Sequence, residues 1–368
     1  ERNYGNAYHV ANSNWKTIHN PITDIMLSTG EGIPEFINND NVYYNKLNKT
    51  KDTRGLRDFH NLVVKRMLIK GVSQPGDTLI DYAVGKGGDL PKWIETDIQF
   101  VFGVDKSKDN IENWIDGACA RYLNHRKTHK NLPSVLFVPG DSGNNIRNGD
   151  AIYDEQYKRV TQAVFGQGPK DANTIGKEAI KHYGKASDGF NISSCQFALH
   201  YFFETREKLE NFIQNIIDCT KIGGYFIGTS YDGKKVFNYL RNKNVNESVT
   251  FNDENTGKKI WEITKKYENS DFKDDASSIG YTIEVFQESI NKAFDEYLVN
   301  FDYLTVIMEK HGFKLLNKDE LKELDLPSSL GSFESLYNKL NDEVKSNMRK
   351  KSEIGHSLHM NNMEKRIS

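Results

Sequence analysis

The stretch "DYAVGKGGDLPKW" (residues 81–93) decides the fold, because it places a glycine-rich turn directly after a short apolar run, "DTLI". A strand that runs into a glycine-rich turn is a common way to bind a nucleotide. The same turn can hold phosphates, a dinucleotide or a methyl donor. The residues around the glycines therefore indicate which of these ligands the turn fits.

Segments typical of strands and of helices alternate around this turn. Buried strands that alternate with helices indicate a parallel, doubly wound α/β sheet, which binds its ligands at the carboxyl ends of the strands. The predicted strands are 78–84, 100–105, 134–141, 190–197 and 223–230. The predicted helices are 57–69, 90–95, 109–126 and 205–220.

Several regions fall outside this alternation. Residues 1–56 are irregular and rich in Asn, and we expect an N-terminal arm or the end of a preceding domain. Residues 143–188 are polar and partly helical, which indicates an insertion after the third strand. A β-hairpin followed by another strand is predicted over 244–285. From Asp295 onward the pattern favours helices, and from about Pro327 it predicts a polar, loosely patterned tail.

The composition excludes several classes of protein. Hydrophobic residues make up 37% and charged residues 27% of the chain, as in a soluble globular protein. No apolar run is long enough to cross a bilayer, and the N-terminus carries no secretory signal. The chain does not begin with Met, and we expect it to be a fragment of a longer protein.

The cysteines and the net charge narrow the class further. Cys119, Cys195 and Cys219 are too few and too scattered for a disulfide framework or a zinc site, so we expect reduced thiols in a cytosolic, metal-free protein. A net charge of −2 disfavours sequence-independent coating of nucleic acid. It allows recognition of one nucleotide in a pocket.

The glycine turn lacks both common phosphate-binding patterns. In a P-loop, the lysine follows the last glycine and precedes Ser or Thr, whereas Lys86 lies between Gly85 and Gly87 with no hydroxyl after it. A dinucleotide site needs a third glycine that opens the helix, but Gly88 is followed by Asp89. A carboxylate there would repel a pyrophosphate. A nicotinamide oxidoreductase is therefore disfavoured.

Four acidic residues suit a cationic ligand. Asp81 and Asp89 favour positive charge near the turn. Asp105 ends the second strand, where an acid can accept both ribose hydroxyls, and Asp141 ends the third, near the expected adenine edge. Each alone could simply cap a helix. Together they favour S-adenosylmethionine, and so a class I methyltransferase with a Rossmann-like sheet, insertions and a β-hairpin extension.

Four segments carry a resemblance to one family. "DYAVGKGGDLPKW" resembles the donor-binding motif of the messenger RNA cap guanine-N7 methyltransferases. "SSCQFALHYFFE" (193–204) is similar to their Ser-x-Gln-Phe-x-x-His-Tyr-x-Phe-Glu motif, and "GGYFIGTSYD" and "DEYLVNFDYL" resemble two later segments, in the family's order. The resemblance implies a methyltransferase domain over 57–368 that transfers a methyl group from S-adenosylmethionine to N7 of the guanosine cap (GpppN).

The resemblance also implies site residues. Lys65 contacts the donor, and Ala83, which replaces a common Gly, offers its carbonyl to the donor amino group. The implied donor site comprises Lys65, Asp81, Ala83, Gly85, Asp89, Asp105, Asp141, Gln196, Phe197 and Tyr201. The implied catalytic residues are His200 and Tyr201, flanking the guanine, and Glu296, which accepts from its N1 and N2 donors. Further cap or RNA contacts are implied for Asn61, Lys86 and Arg121.

The sequence departs from the family pattern in several places. Leu62 replaces a second Asn, Ser230-Tyr231 replaces the proline after "GT", and the spacing from Asp105 to Arg121 is longer. The final "NNMEKRIS" is followed in related viral proteins by a last aromatic strand, which we expect to be missing here.

Other interpretations stay open from the residues alone. His200 could be a core histidine, Glu296 a surface acid on a helical stretch, and the basic run 121–130 a solvated helix face instead of an RNA track. The rival functions are another RNA or small-molecule methyltransferase and a noncatalytic cap- or RNA-binding subunit.

The long insertions and the N-terminal arm suggest the methyltransferase part of a giant DNA virus capping enzyme. We expect capped RNA as partner, fused or associated triphosphatase and guanylyltransferase modules, a stimulatory subunit as a further candidate, and no membrane. The expected location is host cytoplasm, viral factory or virion.

Overall fold

The computed structural model describes most of the chain from residue 53 onward. The expected arm at 1–56 lies outside the described residues except for its last four, and "NNMEKRIS" is described only at two positions. No helix among the described residues is long and apolar enough to cross a membrane. The described ranges are 53–253, 257–288, 292–346, 350–360 and 364–365.

A five-stranded parallel sheet forms the centre of the fold, in the order β3-β2-β1-β4-β5. β2 is buried along its whole length, as expected for a strand covered on both faces. The strand order reverses between β1 and β4, which is where doubly wound sheets bind ligands. The strands are β1 (Thr78–Asp81), β2 (Phe100–Asp105), β3 (Ser134–Pro139), β4 (Phe190–Gln196) and β5 (Thr220–Thr229). All five strand predictions are confirmed.

The predicted helix at 57–69 is helical throughout, but it is not a single α-helix. α1 (Arg54–Asp58) and α2 (Lys65–Val72) are joined by a π-helical turn over Phe59–Val64. Such turns often occur at functional sites. This one carries Asn61 and leads directly into Lys65.

The predicted helix at 109–126 is two helices, α4 (Lys108–Glu112) and α5 (Ala118–Arg126). The break occurs because the Asn113 side chain accepts hydrogen bonds from the backbone N–H groups of Ile115 and Asp116, which closes a turn. The other predicted helices are confirmed. They are α3 (Leu90–Glu95) and α8 (Arg206–Cys219).

The predicted insertion at 143–188 is partly helical, as expected. It contains α6 (Glu155–Val164), α7 (Ala172–Ile175) and a 3-10 turn, Ala179–His182. Val164 and Phe165 join the same core cluster as Phe102 and Phe190. The insertion is therefore packed against the parallel sheet.

A second sheet is antiparallel, in the order β6-β7-β8-β9. The hairpin and the strand after it are confirmed. Its strands are β6 (Ser248–Asn252), β7 (Lys259–Lys265), β8 (Thr282–Gln287) and β9 (Lys292–Tyr297).

The prediction that helices dominate from Asp295 is confirmed from Phe301 onward, where α10 (Phe301–Lys310) begins. It was wrong for its first residues, because the chain up to Tyr297 forms β9. Another helix, α9 (Gly233–Tyr239), precedes this second sheet. Glu296 pairs in register with Ile283 of β8. A short run of mixed residues fits either structure, and pairing with β8 decides it. Glu296 is therefore a buried strand residue and not a surface acid on a helix.

The prediction of a loosely patterned tail from Pro327 was also wrong. After α11 (Lys318–Glu323), the tail forms α12 (Phe333–Ser346) and α13 (Lys350–Glu353). One face of α12 packs on the helical segment before β1, and this burial orders the tail. The buried members of this cluster are Leu56, Phe59, Val64, Tyr337, Leu340, Val344, Ile354 and Met360.

Candidate active site

The glycine turn after β1 is shaped by left-handed backbone. Gly85 has φ +54° and Gly87 has φ +68°, conformations that glycine adopts without a steric penalty. A Cβ atom added at Gly85 or Gly88 would meet nothing within 4 Å, so open space lies beside the turn. The N–H group of Gly85 donates to Asp105 Oδ2 at 2.7 Å, which ties the turn to the end of β2.

Asp105 is held by three donors. Its Oδ2 accepts from Gly85, and its Oδ1 accepts from Ser107 N–H and Asn110 Nδ2, both at 2.9 Å. Burial raises the pKa of Asp105 despite these hydrogen bonds. A carboxylate has about four acceptor positions, so one remains for a ligand hydroxyl. The geometry leaves room for a contact with one ribose hydroxyl and not for the predicted contacts with both.

Asp81 and Asp89 lie at opposite ends of the turn, and their pKa values are shifted in opposite directions. Burial, followed by the charge of Asp89, raises the pKa of Asp81 to about 7, although Asp81 accepts from Ala83 N–H at 3.0 Å. Burial would also raise the pKa of Asp89. Lys65 at 3.3 Å and Lys92 at 2.8 Å outweigh that effect and hold it below its usual range.

Phe197 follows β4 in an unusual backbone conformation. Its φ of +56° is rare for a bulky residue and indicates local strain of the kind found at functional sites. The Phe197 N–H group donates to both the carbonyl and Oγ1 of Thr229 at 3.0 Å, and Thr229 Oγ1 donates to Gln196 Oε1 at 3.1 Å. The Phe197 ring lies 4.6 Å from that of His60 and 5.5 Å from Lys65 Nζ.

Asp141 lies just beyond the end of β3, as predicted. Its Oδ1 accepts from Gly143 N–H at 2.8 Å, and Lys106 Nζ lies 3.0 Å from Oδ2. Burial would raise the pKa of Asp141, but these contacts outweigh it and hold the pKa low. Asp141 is therefore an ionised acceptor at the carboxyl edge of the sheet.

His200, which follows the parallel sheet, lies close to Glu296 of the antiparallel sheet. His200 lies in a 3-10 turn (Leu199–Phe203) after β4, and Glu296 lies on β9. His200 Nε2 is 3.7 Å from Glu296 Oε1, and each residue is only 3% exposed. Burial lowers the pKa of His200 to about 3 and raises that of Glu296 to about 8. The histidine is therefore neutral, and the distance is too long for a hydrogen bond.

Buried polar atoms in this region have unmet hydrogen bonds. Within the described part of the chain, the atoms without hydrogen-bond partners include His200 Nδ1 and Nε2, Glu296 Oε2, Ser230 Oγ and Trp261 Nε1. Buried polar groups are normally paired, so such a cluster indicates a polar ligand. The Tyr201 ring, half-buried, lies 4.2 Å from that of His200. Tyr231 and Trp261 belong to this region and were not predicted as site residues.

The three residues predicted only as cap or RNA contacts, Lys86, Asn61 and Arg121, have different surroundings. Lys86 is buried, 2.9 Å from Asp116 and 3.5 Å from Asp109, and breaking these ion pairs would leave buried charges. This geometry disfavours its predicted contact with cap phosphates. Asn61 Nδ2 donates to Arg57 O within its own helix at 2.9 Å. Arg121 is half-buried on α5, and its role stays a prediction.

The sheet order and the acid-lined turn define a class I S-adenosylmethionine-dependent methyltransferase. The family model for the mRNA (guanine-N(7))-methyltransferase domain matches residues 38–358, and the chain belongs to that family. It is therefore an enzyme domain whose methyl donor is S-adenosylmethionine. The residues around the turn fit that donor, because buried acids and open space occur together there.

Relatives differ in how much of their length the chain covers. It is 30% identical over 338 residues to the "Probable mRNA-capping enzyme" of Acanthamoeba polyphaga mimivirus, covering 86% of this chain and 27% of that protein. It is 28% identical over 266 residues to the mRNA cap guanine-N(7) methyltransferase of Saccharomyces cerevisiae, covering 72% and 51%. The chain thus spans about half of the yeast relative and about a quarter of the viral one.

Among solved structures, a S-adenosylmethionine-dependent methyltransferase from Clostridium acetobutylicum is similar at TM-score 0.39 and 11% identity, over 85% of this chain and 90% of that one.

Proposed function

We propose that this chain transfers a methyl group from S-adenosylmethionine to N7 of the guanosine cap of messenger RNA. The observation that carries the proposal is the buried pair of His200 and Glu296, because both His200 ring nitrogens and Glu296 Oε2 lack hydrogen-bond partners within the described residues. The pair lies at the carboxyl edge of the parallel sheet, where the donor turn also lies.

The chemistry of the pair matches the edges of guanine. Guanine presents N1–H and N2–H donors on one edge, and the Glu296 carboxylate accepts from both. The pKa of Glu296 is about 8 in the free protein, and these two donors favour its ionised form when guanine binds. A neutral His200 offers one donor and one acceptor nitrogen, with no positive charge to oppose the product. Methylation gives the guanine ring a positive charge, and the nearby carboxylate stabilises that charge as it develops.

The donor side relies on acids and on one cation. S-adenosylmethionine supplies an activated methyl group on a sulfonium. In this proposal Asp105 and Asp141 hold the ribose and adenine, and Asp81 faces the cationic end. Lys65, which pairs with Asp89, contacts the donor. Gln196, Phe197 and Tyr201 complete the donor pocket.

Catalysis in this proposal needs no general base, since guanine N7 carries a lone pair and no proton. The residues hold the guanine in line with the methyl group and exclude water. Such positioning contributes up to about 7–11 kcal/mol in favourable cases. His200, Tyr201 and Glu296 orient the guanine, and Glu296 adds electrostatic stabilisation.

The test is methyl transfer from labelled S-adenosylmethionine to GpppA, with the N7-methylated dinucleotide as the matched control. We expect label on the unmethylated cap alone, because the control has its N7 position blocked. Equal labelling of both caps would place the methyl group on another atom and overturn the proposal. Donor binding without transfer to GpppA would also overturn it for this chain.

The proposal also includes the partner, the larger protein and the location in which this activity takes place. Capped RNA is the partner, and the chain is the methyltransferase part of a viral capping enzyme in the host cytoplasm, a viral factory or the virion. The 30% identity to a mimivirus protein named as a capping enzyme, of which this chain covers 27%, supports fused triphosphatase and guanylyltransferase modules. The complete reading frame tests this fusion. We expect it to encode the triphosphatase and guanylyltransferase modules together with this chain, and a reading frame without those modules would contradict fusion.

A further inference from the structure

Tyr231 occupies a position to which the family resemblance gives no tyrosine. It follows β5, where Ser230-Tyr231 stands in place of the proline after "GT". Its ring lies 5.7 Å from that of His200 and 6.1 Å from that of Trp261, at nearly a right angle to the latter. Tyr231 therefore lies between the 3-10 turn that carries His200 and the antiparallel sheet.

The hydroxyl of Tyr231 joins two strands of that sheet. Gln287 Nε2 on β8 donates to the hydroxyl oxygen at 3.1 Å, and the hydroxyl hydrogen-bonds with the Glu296 carboxyl on β9. Gln287 is itself fixed by register, since it pairs with Trp261 on β7 and with Lys292 on β9.

The direction of these hydrogen bonds follows from the donor count. A phenol has one proton, and because the Gln287 amide already donates to its oxygen, that proton is directed to Glu296. A hydroxyl that donates to a carboxyl favours the ionised form. Glu296 Oε2, which has no partner among the described residues, stays available to a ligand.

We propose that Tyr231 is a positioning residue that orients Glu296 and keeps it an acceptor for the guanine N1 and N2 donors, with Gln287 fixing the direction of the Tyr231 hydroxyl. This inference rests on the proposed function for the identity of the base. It assigns to Tyr231 and Gln287 a role in cap recognition, and none in donor binding.

Few groups act on the Glu296 carboxyl. The groups that face it from neighbouring elements are His200 from the 3-10 turn and Tyr231 from the segment after β5, while Ile283 lies opposite it on β8. Burial raises the pKa of Glu296 and the Tyr231 hydrogen bond opposes that rise, and no charged group of the described chain contributes to the shift. Removing the hydroxyl should therefore act on Glu296 directly.

The test is Tyr231→Phe, which removes only the hydroxyl, with Tyr239→Phe as the control because Tyr239 is exposed. At pH 7 we expect kcat/KM for GpppA to fall about tenfold, the size of a hydrogen bond to a charged group, mainly through KM. The loss should shrink as pH rises, since more Glu296 then ionises. Donor affinity by calorimetry should stay within twofold. An unchanged pH profile, or a matching loss of donor affinity, would overturn the proposal.

A second readout does not depend on activity. Infrared difference titration, wild type against Glu296→Gln, isolates the Glu296 carboxyl. We expect it to protonate at higher pH in Tyr231→Phe than in wild type, and in Gln287→Leu by a smaller amount. Identical titration would overturn the role of Tyr231. If wild type methylates no cap while this shift is present, the proposed function fails and the control of Glu296 by Tyr231 is supported.

Discussion

His200 Nε2 lies 3.7 Å from Glu296 Oε1, and this contact joins the parallel sheet to the antiparallel sheet. The turn that carries His200 packs against β9, which carries Glu296. Neither sheet alone contains both groups. The geometry of the proposed guanine site therefore depends on how these two sheets pack.

Replacement of Glu296 by Gln should separate cap recognition from donor binding. The amide keeps the shape of the carboxyl but loses the charge, and a charged hydrogen bond contributes about 1.5–3 kcal/mol. We expect a 10- to 100-fold fall in methyl transfer to GpppA, with calorimetric donor affinity within twofold. Glu284→Gln on β8, whose side chain is partly exposed, is the control. An equal loss of both properties would refute the assignment.

The stability of the free protein should depend on pH through Glu296. Its pKa is about 8 in the folded protein against 4.5 for an ordinary Glu, so between these values the folded state keeps a proton that the unfolded state has lost. The free energy of unfolding should therefore fall as pH rises from about 4.5 through 8. Urea titrations at several pH values should show this component in wild type and not in Glu296→Gln. Parallel pH curves for the two proteins would contradict it.

Two neighbouring glycines test the backbone of the donor turn. Gly85 has positive φ, and Gly88 does not, while a Cβ at either meets nothing within 4 Å. Gly85→Ala should cost about 1–2 kcal/mol of unfolding free energy from backbone strain alone. Gly88→Ala should stay within about 0.5 kcal/mol. Equal effects in urea unfolding would show that the left-handed conformation is not required.

Lys65 should contribute more to donor binding than Lys70, a lysine five residues later on the same helix. It pairs with Asp89 at 3.3 Å and lies 5.5 Å from the centre of the Phe197 ring, so it contacts two predicted donor-site residues. We expect Lys65→Gln to weaken donor binding by about tenfold, the order of one charged hydrogen bond. Lys70→Gln, an exposed position on α2, is the control for calorimetry. Matching affinities in the two variants would remove Lys65 from the donor site.

The helix α12, in the predicted tail, should be part of the cooperative fold. Leu340 is buried against the helical segment before β1, and Leu340→Ala should lower the unfolding free energy by about 2–5 kcal/mol. Lys339→Ala, at a half-exposed position beside it, should change it by about 0.5 kcal/mol or less. Guanidinium unfolding of the two variants measures these changes. A fall in unfolding free energy of less than about 1 kcal/mol for Leu340→Ala would mean that α12 packs weakly.

The parallel sheet was predictable because its central strands β1, β2 and β4 are buried along most of their length and form short apolar runs. β2 begins and ends at the predicted residues. The acids at the strand ends were predictable for the same reason, since each follows such a run. Local sequence was sufficient to predict a strand wherever both faces of that strand are buried.

Other features depend on contacts that are distant in sequence. β9 is a strand because β8 pairs with it, and α12 is ordered because it covers the segment before β1. The sequence around Phe197 does not predict its positive φ, because that conformation is typical of Gly or Asn. Tyr231 and Trp261 are aromatic residues of the kind that usually fill a core. The sequence marked Tyr231 as a departure from the family pattern, but nothing in it indicated that either residue lies beside Glu296 or His200.

The division of the proposed guanine site between two sheets has a consequence for synthesis. A ribosome completes the parallel sheet at Thr229, well before it adds Glu296. Domains tend to form from the N-terminal side as the chain emerges. A nascent chain can thus assemble the donor half first and acquire the acceptor half only with β9. Binding of S-adenosylmethionine would then report early folding, and cap recognition would report completed translation of both sheets.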